Sequence, residues 1–193
     1  MTTPPNIHEP AARLAALLRA SGRRLVLAES CTAGLVAATL ARIPGISEHL
    51  CGSAVVYRNG VKSAWLGIDP AVLDDPDIGP VSAECTRELA LAVLRQTPEA
   101  DISAAVTGHL GPNSPAGLDG VVYVAIAIRD PDPQIVSESC RVLLAFDSDP
   151  ATSRVLRQQA AVEIVLNEVI DLPTPSGRGV GGESDRSTMS PAP

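Results

Sequence analysis

The order in which helical and strand-like segments follow one another constrains the fold of this chain most. In the first half, segments with apolar residues at helical spacing alternate with short apolar runs typical of buried strands. Two long apolar runs, at 121–129 and 135–145, then follow each other directly. Alternation favours parallel strands joined by helices, whereas two successive strands favour an antiparallel hairpin. The sequence therefore predicts a three-layer α/β/α sandwich on a mixed β-sheet.

The individual elements are predicted from apolar spacing and from the residues that stop a helix or a strand. Helices are expected at 9–21, 30–41, 82–96 and 150–171, with a short helix or turn at 61–66, strands at 24–28, 50–57, 101–106, 121–129 and 135–145, and loops at 69–80 and 107–119. Gly22 is expected to end the first helix and Ser82 to cap the helix that follows it. Ser30 or Thr32 is expected at the N-terminus of the second helix.

The composition is that of one globular domain. Of the 193 residues, 45% are hydrophobic and only 2% are aromatic, so the core must be built from Ala, Val, Leu and Ile. In the segment 173–193, 14 of the 21 residues are Gly, Pro, Ser or Thr, which predicts a disordered tail. The predicted organisation is an N-terminal extension at 1–9, a domain at 10–172 and the tail at 173–193.

Charge and hydropathy disfavour several classes of function. Nucleic-acid binding relies on a basic surface, and a net charge of −7 disfavours a DNA or RNA partner, a local basic patch being the alternative. No apolar run reaches the ~18 residues of a membrane span, and the N-terminus has no signal-peptide pattern, so a cytoplasmic protein is expected. The four cysteines are far apart, which predicts neither a zinc site nor a disulfide framework.

The segment 27–34 combines a buried strand, a turn and the start of a helix. Unpaired N–H groups at a helix start can hold an anion or stabilise the oxyanion of a tetrahedral intermediate. Ser30 would present its hydroxyl group there, and the alternative is that Ser30 or Thr32 only caps the helix. Cys31 is the alternative nucleophile, one residue further on.

Lys62 is the single lysine among the fifteen Lys and Arg residues. Arginine stays protonated, whereas a lysine amine whose pKa is lowered by burial can accept a proton. A serine hydroxyl needs such a base to become a nucleophile. Lys62 is therefore a candidate base, the alternative being an ordinary surface lysine. Tyr57 is expected to bond Ser30 or Lys62 and to orient a proton, unless it is only a strand aromatic.

The glycine-containing loop at 107–119 follows a predicted buried strand. Gly108 and Gly111 allow a ligand to approach the backbone, and His109 is a candidate base or ligand contact. No Walker or dinucleotide-binding pattern is present. The other two histidines lie in unrelated settings, so no metal site is predicted.

These segments, in this order, resemble the CinA C-terminal domain family over roughly residues 10–170. The family pattern A-E-S-C-T-G-G appears at 28–34 as A-E-S-C-T-A-G, and the pattern Y-S-N-x-x-K appears at 57–62 as Y-R-N-G-V-K, with the spacing from tyrosine to lysine kept. The pattern G-x-V-S-x-E is matched at 79–84, and T-G-x-x-G-P at 107–112. The resemblance implies a CinA C-terminal domain-like fold.

The characterised members of that family are nicotinamide-nucleotide amidohydrolases, also called nicotinamide mononucleotide deamidases, and are described as Ser/Lys hydrolases. The resemblance implies that Ser30 is the nucleophile, that Lys62 is the base and that Tyr57 assists. Ammonia would leave the carboxamide of nicotinamide mononucleotide through an acyl-enzyme, with no metal or organic cofactor. The implied substrate contacts are Cys31, Thr32, Ala33, Gly34, Asn59, Thr107, Gly108 and His109. The expected partners are a small-molecule nucleotide and further copies of the chain in a homo-oligomer.

Three departures from the family pattern bear on the substrate. Ala33 replaces the first glycine of the G-G pair, and the usual G-I-A-G-P-x-G-G loop is bulkier and more polar at 108–115. The late F-x-G-x-R segment, at 146–150, lacks its arginine, for which Arg154 or Arg157 is a candidate substitute. The catalytic pair is retained while the recognition loops are changed.

Other functions therefore stay open beside hydrolysis of nicotinamide mononucleotide. One is an amidase or esterase that acts on another substrate. A second is a non-catalytic module that binds a nucleotide or a partner. A third, an accessory role in DNA uptake, is suggested only by the family's name, and the acidic charge disfavours direct DNA contact.

Overall fold

One mixed five-stranded β-sheet lies between two layers of helices, as the order of the predicted elements indicates. The computed structural model describes residues 5–143 and 149–173. The strands are β1 (Leu25–Glu29), β2 (Leu50–Val55), β3 (Ile102–Gly108), β4 (Val121–Arg129) and β5 (Pro133–Val142). The helices are α1 (His8–Ser21), α2 (Leu35–Leu40), α3 (Asn59–Leu66), α4 (Pro70–Asp74), α5 (Ala83–Gln96) and α6 (Pro150–Ile170), with a 3₁₀ turn at Ile46–Glu48.

The sheet has the strand order β2-β1-β3-β4-β5. β1 lies between β2 and β3 and runs parallel to both, with Leu25 opposite Leu50 of β2 and Ile102 of β3. β3 and β4 pair antiparallel, and so do β4 and β5, which form the predicted hairpin. The mixed α/β sheet is therefore confirmed.

Alternate residues of β1 enter two separate cores, because successive side chains of a strand point to opposite faces. Leu25 and Leu27 pack with α1, α2 and α6, whereas Val26 and Ala28 pack with α3, α4 and α5. Among the described residues no aromatic side chain belongs to either core. The expectation of an aliphatic core therefore holds for that part of the chain.

Helix ends agree with the sequence where a local residue determines them. Gly22 ends α1 with a φ of +68°, and the Ser82 hydroxyl caps α5 by accepting a hydrogen bond from the N–H of Cys85 at 3.1 Å. The segment 69–80 is not only a loop, as was expected. It contains α4, which Asp69 caps by accepting from the N–H of Ala71 at 2.9 Å.

The carboxyl ends of β1, β2 and β3 lie at the same edge of the sheet, because these strands are parallel. Loops at the carboxyl ends of strands are the usual place for a ligand in such sheets. In the described ranges, no helix is both long and apolar enough to cross a bilayer. Residues 144–148 and 174–193, which hold part of the late motif and nearly all of the predicted tail, lie outside the described residues.

Candidate active site

The turn after β1 is longer than the sequence indicates. Helix α2 begins at Leu35 and not at residue 30, because Ala33 and Gly34 adopt left-handed backbone conformations with φ of 53° and 95°. Gly34 is the N-cap residue, so neither Ser30 nor Thr32 caps the helix. A left-handed φ costs roughly 1–2 kcal/mol for a residue with a Cβ, which Ala33 carries where the family pattern has glycine.

The carboxylate of Glu29 holds this turn, a role that sequence reasoning missed. Glu29 is 1% exposed and accepts hydrogen bonds from Thr32 Oγ1 (2.8 Å), Ser53 Oγ (2.9 Å) and the N–H groups of Val36 and Ala37 (both 3.0 Å). Two N–H groups of the first turn of α2 are therefore paired. The expectation that successive donors at this helix start are unpaired is wrong for these two. An acidic residue that ends a fully apolar strand was the available signal.

A cleft of about 210 Å³ lies at the carboxyl edge of the sheet. It brings together six of the predicted site residues, namely Ser30, Tyr57, Asn59, Lys62, Gly108 and His109. Residues of the loop after β3 form one wall, and Arg154 of α6 also lines the cleft. The remaining predicted residues, Cys31, Thr32, Ala33, Gly34 and Thr107, are not among its lining residues.

Lys62 is buried at this cleft and is not a surface lysine. It lies on the same inward face of α3 as Leu66, four residues on, and only 1% of its surface is exposed. Its Nζ donates a hydrogen bond to the carbonyl oxygen of Pro80 at 2.7 Å. Burial lowers the pKa of the Lys62 amine, against smaller opposite effects of Cys85 and Cys31. The amine is therefore easier to deprotonate than an ordinary lysine.

Ser30 follows β1 and stays attached to the sheet through its N–H group, which donates to the carbonyl oxygen of Val106 at 3.1 Å. The residue is 7% exposed and lines the same cleft as Lys62. Within the described residues no hydrogen bond joins the Ser30 hydroxyl to the Lys62 amine, whose recorded acceptor is Pro80.

Cys31 is unsuited to be the nucleophile. It is 4% exposed, and burial raises the pKa of its thiol to about 12, so that the thiolate is scarce near pH 7. Its Sγ packs against Gly108, where an added Cβ would lie 3.1 Å from the sulfur and 2.9 Å from the carbonyl oxygen of Val121. A side chain at position 108 would therefore collide with these two atoms, so the packing below the cleft requires glycine there.

Thr107 lies inside the fold and is not among the residues that line the cleft. Its side chain is fully buried, and its Oγ1 lies 2.8 Å from Oγ1 of Thr86. Thr86 donates its own proton to the carbonyl oxygen of Ser82 at 2.6 Å, so Thr107 is the donor of the shared bond. The pair ties β3 to the start of α5.

Tyr57 contacts neither Ser30 nor Lys62 by a hydrogen bond, contrary to expectation. Its hydroxyl oxygen accepts from Nη2 of Arg154 at 2.9 Å, and 53% of the residue is exposed. Arg154 also donates to the carbonyl oxygen of Gly111, so it connects Tyr57 to the loop after β3. Of the two candidate substitutes for the missing family arginine, Arg154 and Arg157, Arg154 is the one that lines the cleft.

His109 lines the cleft next to these groups. Burial lowers the pKa of its imidazole, and the positive charge of Lys62 lowers it further. The ring is therefore neutral near pH 7 and can both donate and accept a hydrogen bond. In the described ranges no group of three or more His, Cys, Asp or Glu side chains is arranged to hold a metal ion.

The family model for the CinA C-terminal domain matches residues 7–169. The chain belongs to the CinA C-terminal domain family. It is 34% identical over 171 residues to a CinA-like protein of a Geobacter species, covering 86% of this chain and 38% of that protein. It is 37% identical over 134 residues to a CinA-like protein of Myxococcus xanthus, covering 68% of this chain and 30% of that one. The chain thus spans well under half the length of these curated relatives.

Solved structures of the CinA superfamily share the fold. The competence/damage inducible protein CihA from Agrobacterium tumefaciens superposes with a TM-score of 0.76 at 27% identity, covering 88% of this chain and 98% of that one. The competence damage-inducible protein A from Klebsiella pneumoniae gives 0.74 at 28% identity, covering 86% and 96%. The CinA fold therefore extends over nearly all of the described residues.

Proposed function

We propose that this protein hydrolyses the carboxamide of nicotinamide mononucleotide, or of a related ribonucleotide, with Ser30 as nucleophile and Lys62 as base. The observation that carries the proposal is the buried amine of Lys62, which lines the same cleft as Ser30 and has a lowered pKa. In its deprotonated form, which the lowered pKa makes more accessible, this amine supplies the base that a serine nucleophile requires. Family membership supports the reaction class through the residues quoted above.

In the proposed reaction the neutral Lys62 amine takes the hydroxyl proton as Ser30 Oγ forms a bond to the carboxamide carbon. The C–N bond then breaks, and the Lys62 ammonium delivers the proton to the leaving nitrogen, which departs as ammonia. Water then attacks the ester carbon while Lys62 takes one of the water protons. The bond between this carbon and Ser30 Oγ breaks, Lys62 returns the proton to Ser30 Oγ, and the nicotinic acid product leaves and loses its own proton to solvent. Catalytic hydrogen bonds commonly tighten only in the complex with substrate, so a Ser30–Lys62 bond is expected to form there.

Arg154 is proposed to bind the phosphate of the nucleotide. Its guanidinium group lines the cleft and bonds two neutral acceptors, the Tyr57 hydroxyl and the Gly111 carbonyl. A phosphate would offer charged acceptors in their place, and such charge-assisted bonds are roughly twice as strong as neutral ones. Tyr57 then acts by positioning Arg154 and not as a proton relay.

The experiment that tests the function is ammonia release from nicotinamide mononucleotide by the purified protein. Ser30→Ala should abolish release, while Ser47→Ala, at an exposed serine near the opposite end of the sheet, should leave it unchanged. A fluorophosphonate should form a covalent adduct on Ser30 that mass spectrometry locates. Failure of the wild-type protein to turn over any nicotinamide nucleotide or other amide or ester would refute the proposal.

A second candidate is a nucleotide-binding module without turnover. It is favoured by one observation, namely that the Lys62 amine bonds Pro80 and that no hydrogen bond links it to Ser30 within the described part of the chain. Thermal stabilisation by nucleotides without ammonia release and without a Ser30 adduct would support this candidate. An adduct on Ser30 would exclude it.

A further inference from the structure

One wall of the cleft is a loop without helix or strand. The segment 109–120 joins β3 to β4, and its residues 109–114 line the cleft. Such a wall can position a ligand only if other contacts fix its conformation, since an unconstrained loop samples many conformations.

The side chain of Arg157 supplies these contacts from beneath the loop. Arg157 lies on α6 and is 5% exposed. Its Nη1 and Nη2 donate to Oδ1 and Oδ2 of Asp119 at 3.0 and 2.8 Å, a bidentate pair. Nη1 also donates to the carbonyl oxygen of Leu110 at 3.4 Å. One guanidinium group therefore holds both ends of the 109–120 loop.

The loop is packed closely around this guanidinium. A Cβ added at Gly111 would lie 2.9 Å from Nη1 of Arg157 and 2.9 Å from Oδ1 of Asp119, and one added at Gly120 would lie 3.2 Å from Nη2. Both glycines have positive φ, of 69° and 78°. Ser114 Oγ donates to Oδ1 of Asp119 at 3.0 Å, which ties the middle of the loop to the same carboxylate.

We propose that Arg157 and Asp119 are positioning residues that set the shape of the cleft wall and thereby the affinity for substrate. In the described part of the chain neither residue forms a hydrogen bond with Ser30 or Lys62, so their effect falls on binding and not on bond breaking. The two nearby arginines thus have separate roles, with Arg154 facing the cleft and Arg157 holding its wall. The statement about substrate affinity rests on the proposed function.

The test compares Arg157→Met and Asp119→Asn with the wild-type protein by hydrogen–deuterium exchange and by kinetics. The N–H of Gly120, bonded to the carbonyl oxygen of His109 at 2.7 Å, reports on loop opening. Amides of the loop should exchange about tenfold faster, with those of β1 and β3 unchanged. KM for nicotinamide mononucleotide should rise about tenfold while kcat stays within about threefold.

Two further variants separate this role from a general loss of stability. Arg157→Lys keeps the positive charge but cannot make the bidentate pair with Asp119, and should reproduce the rise in KM. Arg87→Met removes an exposed ion pair with Glu138 (3.2 Å) and should change neither exchange nor KM. Labelling of Ser30 by a fluorophosphonate, which needs no nucleotide, should proceed at the wild-type rate in every variant.

Unchanged exchange of the loop in Arg157→Met would overturn the proposal, and so would a fall in kcat at constant KM. If the wild-type protein neither binds nor hydrolyses any nucleotide, the proposed function fails. Exchange of the loop amides then still decides whether the Arg157–Asp119 pair fixes the wall.

Discussion

The Nζ atom of Lys62 lies 2.7 Å from the carbonyl oxygen of Pro80, which joins the buried amine of α3 to the segment that leads into α5. A neutral amine can donate to this carbonyl and keep its lone pair for a proton from Ser30. The bond therefore orients the amine in either protonation state. It also explains how a nearly inaccessible lysine is satisfied without a carboxylate partner.

Lys62→Met should abolish hydrolysis and leave the fold intact. Removal of a general base costs about 10²–10⁴-fold in rate. Methionine fills a similar volume without an amine to desolvate, so the free energy of unfolding should change by less than about 1.5 kcal/mol. Lys62→Arg should also lose activity, because the guanidinium stays protonated, and overpacking should cost about 1–3 kcal/mol. Enzyme kinetics and urea unfolding test both variants. The control is Arg58→Met, at the exposed residue that precedes α3.

The activity should rise with pH through the pKa of Lys62, which burial places below the ordinary lysine value. Between that lowered pKa and about 10.4, the unfolded chain binds more protons at this site than the folded one, so stability also rises with pH. The difference in unfolding free energy between wild type and Lys62→Met measures this slope together with the coupling of the amine to Cys31, Cys85 and His109. A difference that is independent of pH would contradict the assignment.

Cys31→Ala should retain hydrolysis within about threefold, because a buried thiol with a pKa of about 12 supplies no thiolate. Loss of the packed sulfur should destabilise the protein by roughly 1 kcal/mol. Iodoacetamide at pH 8 should modify the exposed Cys140 and spare Cys31 in the folded protein. Loss of activity in Cys31→Ala, with Ser30→Ala still active, would make Cys31 the nucleophile.

Ala33→Gly should stabilise the protein. Glycine removes the cost of the left-handed φ of 53° in the folded state, roughly 1–2 kcal/mol. It also raises the conformational entropy of the unfolded chain, which lowers the stability by about 0.4–1 kcal/mol. A net gain of up to about 1.6 kcal/mol in the free energy of unfolding is expected from urea unfolding. Ala37→Gly, inside α2, should instead destabilise by about 1 kcal/mol. A loss of stability in Ala33→Gly would show that the turn is not strained.

Arg154→Gln should raise KM for nicotinamide mononucleotide by at least about tenfold, because it removes the charged partner proposed for the phosphate. The same variant should leave kcat/KM for nicotinamide riboside, which lacks that phosphate, within about twofold. Tyr57→Phe removes only the hydroxyl oxygen that accepts the 2.9 Å hydrogen bond from Arg154, so it should raise KM for nicotinamide mononucleotide by a smaller factor. Equal losses on both substrates would place Arg154 outside phosphate binding.

The spacing of apolar residues predicted the three layers of the fold. Neighbouring residues of a strand face opposite sides of the sheet, so Leu25 and Val26 enter different cores, and this depends only on their order in the chain. The start of α2 was not predicted. The helix is delayed by the left-handed residues Ala33 and Gly34, in a turn that the carboxylate of Glu29 holds, and the partners of this carboxylate include Ser53 on the neighbouring strand. Contacts between segments distant in sequence leave no periodic signal.

The same distinction holds at the site. Motif order predicted that Ser30 and Lys62 share a cleft, and both residues line it. The partner of Tyr57 is Arg154, 97 residues further along the chain, and only the folded chain shows that contact. The resemblance implied that Thr107 contacts the substrate, yet its side chain is fully buried and bonds Thr86 of α5.

The buried carboxylate of Glu29 holds the turn after Ser30, the proposed nucleophile, independently of the contacts that hold the 109–120 loop. It ties the turn that follows Ser30 to α2 and β2, whereas the opposite wall is held by α6 through Asp119. No hydrogen bond of the Glu29 carboxylate within the described chain reaches the 109–120 loop. The loop can therefore change in bulk and polarity, as at 108–115, while Ser30 keeps its place. A family built this way can acquire new substrates by exchanging one surface segment.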